Sequence, residues 1–307
     1  MSVNTALTAA LSSRLRAEGL EPDAVVDVVT RAIDEDLAGG VDVTSRSTVP
    51  EDARSAAKLV ARAPGTVAGL DIALAAFEIA AGAGVVDVQA ASVDGQTVAA
   101  GDTLARIEGP TRSLLLAERT ALNLICHLSG VATATSRWVD AVAGTGVVIR
   151  DTRKTTPGLR TLEKYAVRCG GGQNHRLSLS DAALVKDNHV AAAGSMEAAV
   201  RQVLATAGPV PIEIEVDTLE QLAVAMECGA DLLLLDNMSV DEMSRAVAMA
   251  EAHTRATGRP VALEASGGMT LERARQVAET GVDFISVGSI THSAPIVDFA
   301  LDFAALA

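Results

Sequence analysis

The chain has 307 residues, 49% of them hydrophobic and 21% charged, enough to bury a sizeable core and too apolar for a disordered segment. Its formal charge of −14 argues against nucleic acid and against an anionic membrane face, both of which call for broad basic surfaces. Only 2% of residues are aromatic, so Ala, Val and Leu must fill the interior.

The N-terminal text, "MSVNTALTAALSSRLRAEGL", has no continuous apolar stretch and predicts no signal peptide. Residues 4–37 predict helix, with a solvated acidic end at Asp34, Glu35 and Asp36. "AGGVDVTSRSTVP" breaks that pattern with glycines and a proline. "SAAKLVARAPGTVAGL" reads as strand, turn, strand, and "DIALAAFEIAAGA" as a helix ended by glycine. "VVDVQAASVDGQTVAAGDTLARIEG" alternates and turns at Asp94 and Gly95, as a hairpin does. Helix and short strands together predict an α+β domain over residues 1–130.

Residues 114–142 predict one long helix interrupted at Gly130. The uncharged run inside it, residues 120–136, is rich in Ser and Thr and falls short of a membrane span. Cys126, Cys169 and Cys228 are far apart and form no metal-ligand spacing, which suggests reduced thiols in a cytoplasmic protein.

Beyond residue 130 the text changes. Six short apolar runs appear, "GVVIRDTRKT", "AALVKDNH", "PIEIEVDT", "DLLLLDNM", "VALEASGGM" and "DFISVGS", and helical patterns separate most of them. Alternating strand and helix implies parallel strands buried on both faces. A barrel is favoured over an open sheet because nearly every strand ends in charged or glycine-rich residues, and barrels build their sites at that rim. Six units predict an incomplete α/β barrel over residues 131–290, with residues 291–307 packing back on the first domain.

The strand ends supply the chemistry. The first offers Arg150, Arg153 and Lys154, and the second Lys186, Asp187, Asn188 and His189. The third offers Glu213, Glu215 and Asp217, the fourth Asp236 and Asn237, the fifth Glu264, Ser266, Gly267 and Gly268, and the sixth Gly288 and Ser289. A glycine-rich loop before the second strand carries His175 and Arg176. Residues 150–186 hold eight of the chain's 25 Lys and Arg. "IEIEV" sends Glu213 and Glu215 to the same side of a buried strand, where a carboxylate pair needs a counter-ion or a metal. This pattern predicts a divided site. One half is cationic and suited to a polyanionic small molecule; the other is carboxylate-rich and suited to Mg²⁺. The glycine segments then read as phosphate cradles.

"DTRKTTPGLR", "EKYAVRCGGGQNHR", "IEVDTLEQ", "LLLDNM", "EASGG" and "VGSITHSAP", with "DEDLAGGVDVTS" and "ERTALNLICHLSGVAT" in the first half, closely resemble the quinolinate phosphoribosyltransferases, and the likeness runs over nearly the whole chain. It implies an α/β fold in which an α+β open sandwich precedes an incomplete barrel of about six strands. It implies the decarboxylating transfer of phosphoribosyl from phosphoribosyl pyrophosphate to quinolinate with Mg²⁺, giving nicotinate mononucleotide, pyrophosphate and CO2 on the route to NAD. It implies a homodimer, open to further assembly, with active sites at the subunit interface. By the same resemblance Arg153, Lys154, His175, Arg176 and Lys186 hold quinolinate, Thr152 joins the substrate-binding set, and Arg119 is lent across the interface. Glu215 and Asp236 match acidic residues near the ribose and Mg²⁺, contacted directly or through water. Ser266, Gly267 and Gly268, with Val287, Gly288 and Ser289, match phosphate-contacting loops. Lys154, Lys186, Glu215 and Asp236 are the catalytic candidates; whether the two acids stabilise ribosyl charge or position the metal stays open. His127, Trp138 and Tyr165 read as structural, and His189 as orienting its neighbours. The rivals are a non-decarboxylating nicotinate or nicotinamide phosphoribosyltransferase, an aldolase-like barrel with Lys186 as Schiff base, and a barrel that only binds phosphorylated ligands.

Overall fold

The computed structural model describes residues 6–305. The chain divides into two compact units: Met1–Ala134 with Thr155–Gly171 and Thr291–Ala307, and Thr135–Lys154 with Gly172–Ile290. The helix Arg160–Cys169, which lies within the expected barrel domain, therefore groups with the first unit.

The first unit is built on a four-stranded antiparallel sheet. Its strands are β1 (Arg54–Ala61), β3 (Asp87–Ala90), β5 (Thr103–Pro110) and β12 (Phe299–Ala305), in the order β12-β1-β5-β3; β2 (Gly65–Thr66) and β4 (Thr97–Val98) form a separate pair. The C-terminal strand completes the sheet by pairing along β1 from Ser55↔Ala305 to Ala61↔Phe299. The helix Leu70–Ala81 is buried over residues 70–79, as its unbroken apolar text requires.

Four local expectations change. The N-terminal helical text divides into Ala9–Ala17 and Pro22–Leu37, because Gly19 adopts a left-handed φ of 75° and Pro22 starts the second helix; residues 4 and 5 lie outside the described residues. The segment "VDVTSRST", expected to be irregular, contains the short helix Val43–Thr48, capped by the Asp42 carboxylate accepting from Ser45 N–H at 3.0 Å. Asp94 and Gly95 do not close a hairpin of adjacent strands, since β3 pairs with β5 and β4 with β2. Asp94 instead accepts from the backbone N–H groups of Gly69 and Leu70 at 2.7 and 3.0 Å, capping the buried helix, and from the Tyr165 hydroxyl at 2.6 Å. Gly130 does not interrupt its helix, which runs from Thr111 to Ala141. A β-carbon there would meet Ile296 Cα at 3.0 Å and collide with the Pro295 carbonyl, so glycine serves a close approach of chains.

The second unit holds six parallel strands: β6 (Val148–Arg150), β7 (Ala183–Val185), β8 (Ile212–Val216), β9 (Leu232–Asp236), β10 (Ala262–Ser266) and β11 (Phe284–Ser286). Their order is β6-β11-β10-β9-β8-β7, so the first strand pairs with the last and the sheet curls into a ring. The ring stays open between β6 and β7, where a single bridge, Arg150↔Gln173, stands in for a ladder. This is the incomplete barrel that the repeat predicted. Alternation along the strands sorts the side chains. One set, Ile149, Val185, Ile214, Val216, Leu233, Leu235, Leu263, Ala265 and Ile285, is wholly apolar and buried. The other set contains Arg150, Glu213, Glu215, Asp236, Glu264 and Ser286, and it gives the barrel a polar interior rather than the apolar layers of an ordinary barrel.

Candidate active site

At the C-terminal ends of the six strands the second unit encloses a cavity of about 520 Å³. It is lined by Thr152, Arg153, Lys154, His175, Arg176, Lys186, Glu215, Asp236, Ser266, Gly267 and Gly268, together with Leu184, Leu234, Asn237 and Ser286. Strand order turns that roll into a map. The end of β6, the loop at the open seam and the end of β7 form a cationic arc. The ends of β8 and β9 add Glu215 and Asp236, and the turn after β10 adds the paired glycines.

The cationic arc is held from beneath by buried anions. Asp151 is fully buried, and its carboxylate accepts from Asn174 Nδ2 at 2.6 Å and from His175 N–H at 2.9 Å, which fixes the glycine-rich loop beside β6. The Arg176 guanidinium donates to the Ala182 carbonyl at 2.9 Å. Burial lowers the Arg176 pKa, Arg153's positive charge lowers it further, and Glu213 and Asp181 only partly offset the two. The clustered cations therefore favour any anion that enters. Lys186 Nζ lies 2.6 Å from Glu215 Oε2, and its backbone N–H donates to His189 Nδ1 at 2.9 Å, so His189 orients Lys186. Lys186 and Glu215 thus form an ion pair on the cavity wall.

Behind the cavity wall lies a second layer. His175 Nε2 is 2.7 Å from Glu213 Oε2 and 3.6 Å from Glu264 Oε1, and Glu264 Oε2 accepts from Arg150 Nη1 at 2.7 Å. Burial works to lower the His175 pKa, but the hydrogen bond and charge of Glu213 and the charge of Glu264 outweigh it and the net shift is upward. Burial raises the Glu264 pKa, helped by the neighbouring Glu213 charge and opposed by His175 and Arg150. His175, Glu213 and Glu264 place ligand-type atoms within 4.8 Å of one another. Arg150 already supplies cationic charge to this group, which marks it as an ion-pair network.

Metal-suited oxygens occur on the cavity side, on neighbouring strands: Glu215 on β8 and Asp236 on β9. Each spends one oxygen on a protein partner, Lys186 Nζ and Asn237 Nδ2 at 2.7 Å. An all-oxygen pair at the mouth of a cavity suits a hydrated Mg²⁺ ion.

Four expected residues do not line this cavity. Arg119 sits on the helix Thr111–Ala141 in the first unit, 71% exposed and 3.6 Å from Glu118. Val287 is buried, and its backbone N–H, the group a phosphate would need, donates to the Arg150 carbonyl at 2.9 Å. Gly288 and Ser289 follow it, and Ser286 lines the cavity in their place. His127 is structural, 2.8 Å from the buried Glu163, and Trp138 and Tyr165 are buried. Asp151 and Ser286 were not singled out from sequence, and Asn237 was named at its strand end without a role in the site. "DT" directly after an apolar run was the available signal for Asp151; Asn tolerates the left-handed φ of 54° found at residue 237. A lone serine ending a strand gives no signal.

Comparison with known proteins agrees with this architecture. Residues 42–129 match the quinolinate phosphoribosyl transferase N-terminal domain, and residues 131–302 the C-terminal domain of the same family. A nicotinate-nucleotide pyrophosphorylase [carboxylating] of Mycobacterium leprae is 49% identical over 282 residues, 92% of this chain and 98% of its own length. A probable enzyme of the same name from Bacillus subtilis is 41% identical over 273 residues, 87% of this chain and 89% of its own. The structure of nicotinate-nucleotide pyrophosphorylase from Francisella tularensis superposes with a TM-score of 0.85 at 37% identity, covering 92% of this chain and 96% of that one. Sequence, barrel topology and the residues gathered at its rim all lead to one assignment: the chain belongs to the quinolinate phosphoribosyltransferase family.

Proposed function

We propose that the chain transfers phosphoribosyl from phosphoribosyl pyrophosphate to quinolinate with loss of CO2, a pentosyl transfer that makes nicotinate mononucleotide for NAD. The observation that carries this reading is the convergence of Arg153, Lys154, Arg176 and Lys186 on the same cavity as Glu215 and Asp236. A base bearing two carboxylates needs several cations, and Arg forks suit carboxylates. A salvage substrate with at most one carboxylate would leave part of that arc uncompensated.

The cationic arc binds and orients the dicarboxylate so that its ring nitrogen faces ribose C1. Glu215 and Asp236 offer negative charge where the ribosyl centre becomes positive. The bond from C1 to the pyrophosphate oxygen breaks with its electron pair on oxygen, and the ring nitrogen forms the new bond to C1. The cationic ring then sheds its 2-carboxylate as CO2; the pair left on carbon sits beside the positive nitrogen, and a proton takes its place. Gly267 and Gly268 bring backbone close to the phosphate side. Mg²⁺, held by Glu215 and Asp236 directly or through water, would neutralise charge on the pyrophosphate. No step requires a nucleophilic side chain.

Arg119, strongly exposed and outside this chain's cavity, fits a homodimer in which each subunit lends an arginine to its partner's site. Among the described residues no helix is long and apolar enough to cross a membrane; a cytoplasmic location belongs to this reading.

The test is an assay with quinolinate labelled in its 2-carboxylate, run with and without Mg²⁺, following trapped CO2 and nicotinate mononucleotide together. Equimolar release of both, dependent on Mg²⁺, is the expected result. Turnover of nicotinate without gas, or no turnover of either base, would overturn the reading.

A further inference from the structure

Glu213 on β8 and Glu264 on β10 are buried in the barrel, 3% and 0% exposed, and neither lines the substrate cavity. Both have an Oε1 atom that meets no hydrogen-bond partner, an expensive arrangement for a carboxylate in the interior. What they face is His175. Glu213 Oε2 lies 2.7 Å from Nε2 and Glu264 Oε1 3.6 Å from the same nitrogen. Arg150, stacked on the Phe284 ring, holds Glu264 from the far side. Two carboxylates beside one ring nitrogen require a proton on it. The other nitrogen, Nδ1, accepts the backbone N–H of Arg176 at 2.7 Å. That bond requires a lone pair on Nδ1 and so selects the Nε2–H tautomer.

We propose that Glu213 and Glu264 are positioning residues for the dicarboxylate half of the site: they fix the His175 ring as an Nε2–H donor into the barrel, and through its Nδ1 they hold the Arg176 backbone, and with it the Arg176 guanidinium, at the cavity wall. This rests on the substrate reading above. The pyrophosphate half, at Glu215, Asp236 and the paired glycines, lies outside this chain of bonds, so the two substrates report on it differently.

The experiment compares Glu213→Leu, which removes the acceptor at similar volume, with Glu213→Gln, which keeps an oxygen for Nε2–H. Glu213→Leu is expected to raise KM for quinolinate about tenfold or more and to leave KM for phosphoribosyl pyrophosphate within about twofold, with Glu213→Gln recovering most of the loss. In histidine-labelled protein, ¹⁵N spectra of the parent are expected to show His175, assigned by its absence in His175→Asn, protonated at Nε2 and bare at Nδ1, a signature lost in Glu213→Leu. An unchanged quinolinate KM in a folded Glu213→Leu, an equal rise for both substrates, or a parent His175 carrying its proton on Nδ1 would each overturn the proposal. If Glu213→Leu fails to fold, Glu213→Gln and the parent spectrum decide. A parent that ignores quinolinate sinks the substrate reading alone, because the ring spectrum is read without turnover.

Discussion

Gly267 lies so close to Asn237 that a β-carbon on it would sit 2.8 Å from the Asn237 backbone nitrogen and would strike the Asn237 carboxamide as well. Gly267 also has a φ of 82°, which other residues adopt only under strain. Asn237 in turn donates its side-chain amide to Asp236 Oδ2 at 2.7 Å and its backbone N–H to the Ser266 carbonyl at 3.0 Å. The glycine thus serves the packing of the acidic wall. Gly267→Ala is expected to lower stability by about 1–3 kcal/mol through strain and overpacking. It is also expected to lower kcat/KM by about 10²-fold by displacing Asp236. Urea unfolding and steady-state kinetics on the same sample separate the two effects; full activity in a stable variant would show that Asp236 does not depend on this contact.

Arg176→Ala removes a guanidinium that Arg153 already crowds and that no carboxylate touches within hydrogen-bond range among the described contacts. Its charge is therefore available to the substrate. The loss of quinolinate affinity is expected to be roughly 2–5 kcal/mol, the range for deleting one member of a desolvated charge pair. Equilibrium binding of quinolinate to parent and variant measures it. A change confined to phosphoribosyl pyrophosphate would place Arg176 on the wrong half of the cavity.

The barrel was legible because burying both faces of a parallel strand leaves an unmistakable apolar run, and because charge at the end of each run marks the rim. "IEIEV" showed that Glu213 and Glu215 share a side, but the sequence could not divide their labour. That division depends on depth along the strand: Glu215 reaches Lys186 at the cavity, and Glu213 meets His175 below it. The turn at Asp94 and Gly95 forms, but the hairpin expected there does not, for a related reason. Asp-Gly is a turn signal whatever its carboxylate binds, and the helix end and tyrosine that claim Asp94 come from residues 69–70 and 165. Gly130 was misread because a glycine inside helical text looks like a break until the chain that crosses it is known.

Gly130→Ala tests that last point. In an isolated helix the change would stabilise, since Ala is the better helix former by about 1 kcal/mol. Here the added methyl meets backbone, at Ile296 Cα and the Pro295 carbonyl, which cannot rotate away. The expected sign is reversed, a loss of about 1–3 kcal/mol. Chemical denaturation of the variant gives the sign directly; a gain would mean that the segment 295–296 moves aside at little cost.

Glu18 gives the first unit a pH dependence of unusual sign. Burial pushes its carboxyl up to about 7, and the charges of Asp94 and Asp71 push the same way against the Tyr165 hydroxyl and Arg14. Asp94 is also shifted upward, first by its own burial. A carboxyl whose folded pKa is raised binds its proton more tightly in the folded chain, so stability falls as pH rises from its ordinary 4.5 through about 7. Paired carboxylates act in the opposite direction. Glu18→Gln keeps the shape and cannot ionise, so its stability relative to the parent is expected to grow across that window and level off above it. Allowing for the partial solvent contact of the side chain, the gain is about 1–2 kcal/mol. Calorimetric melting of both proteins at pH 5 and pH 8 reads the difference. A parent that outlasts Glu18→Gln by more at pH 8 than at pH 5 would reverse the sign and show that Glu18 is held as a carboxylate.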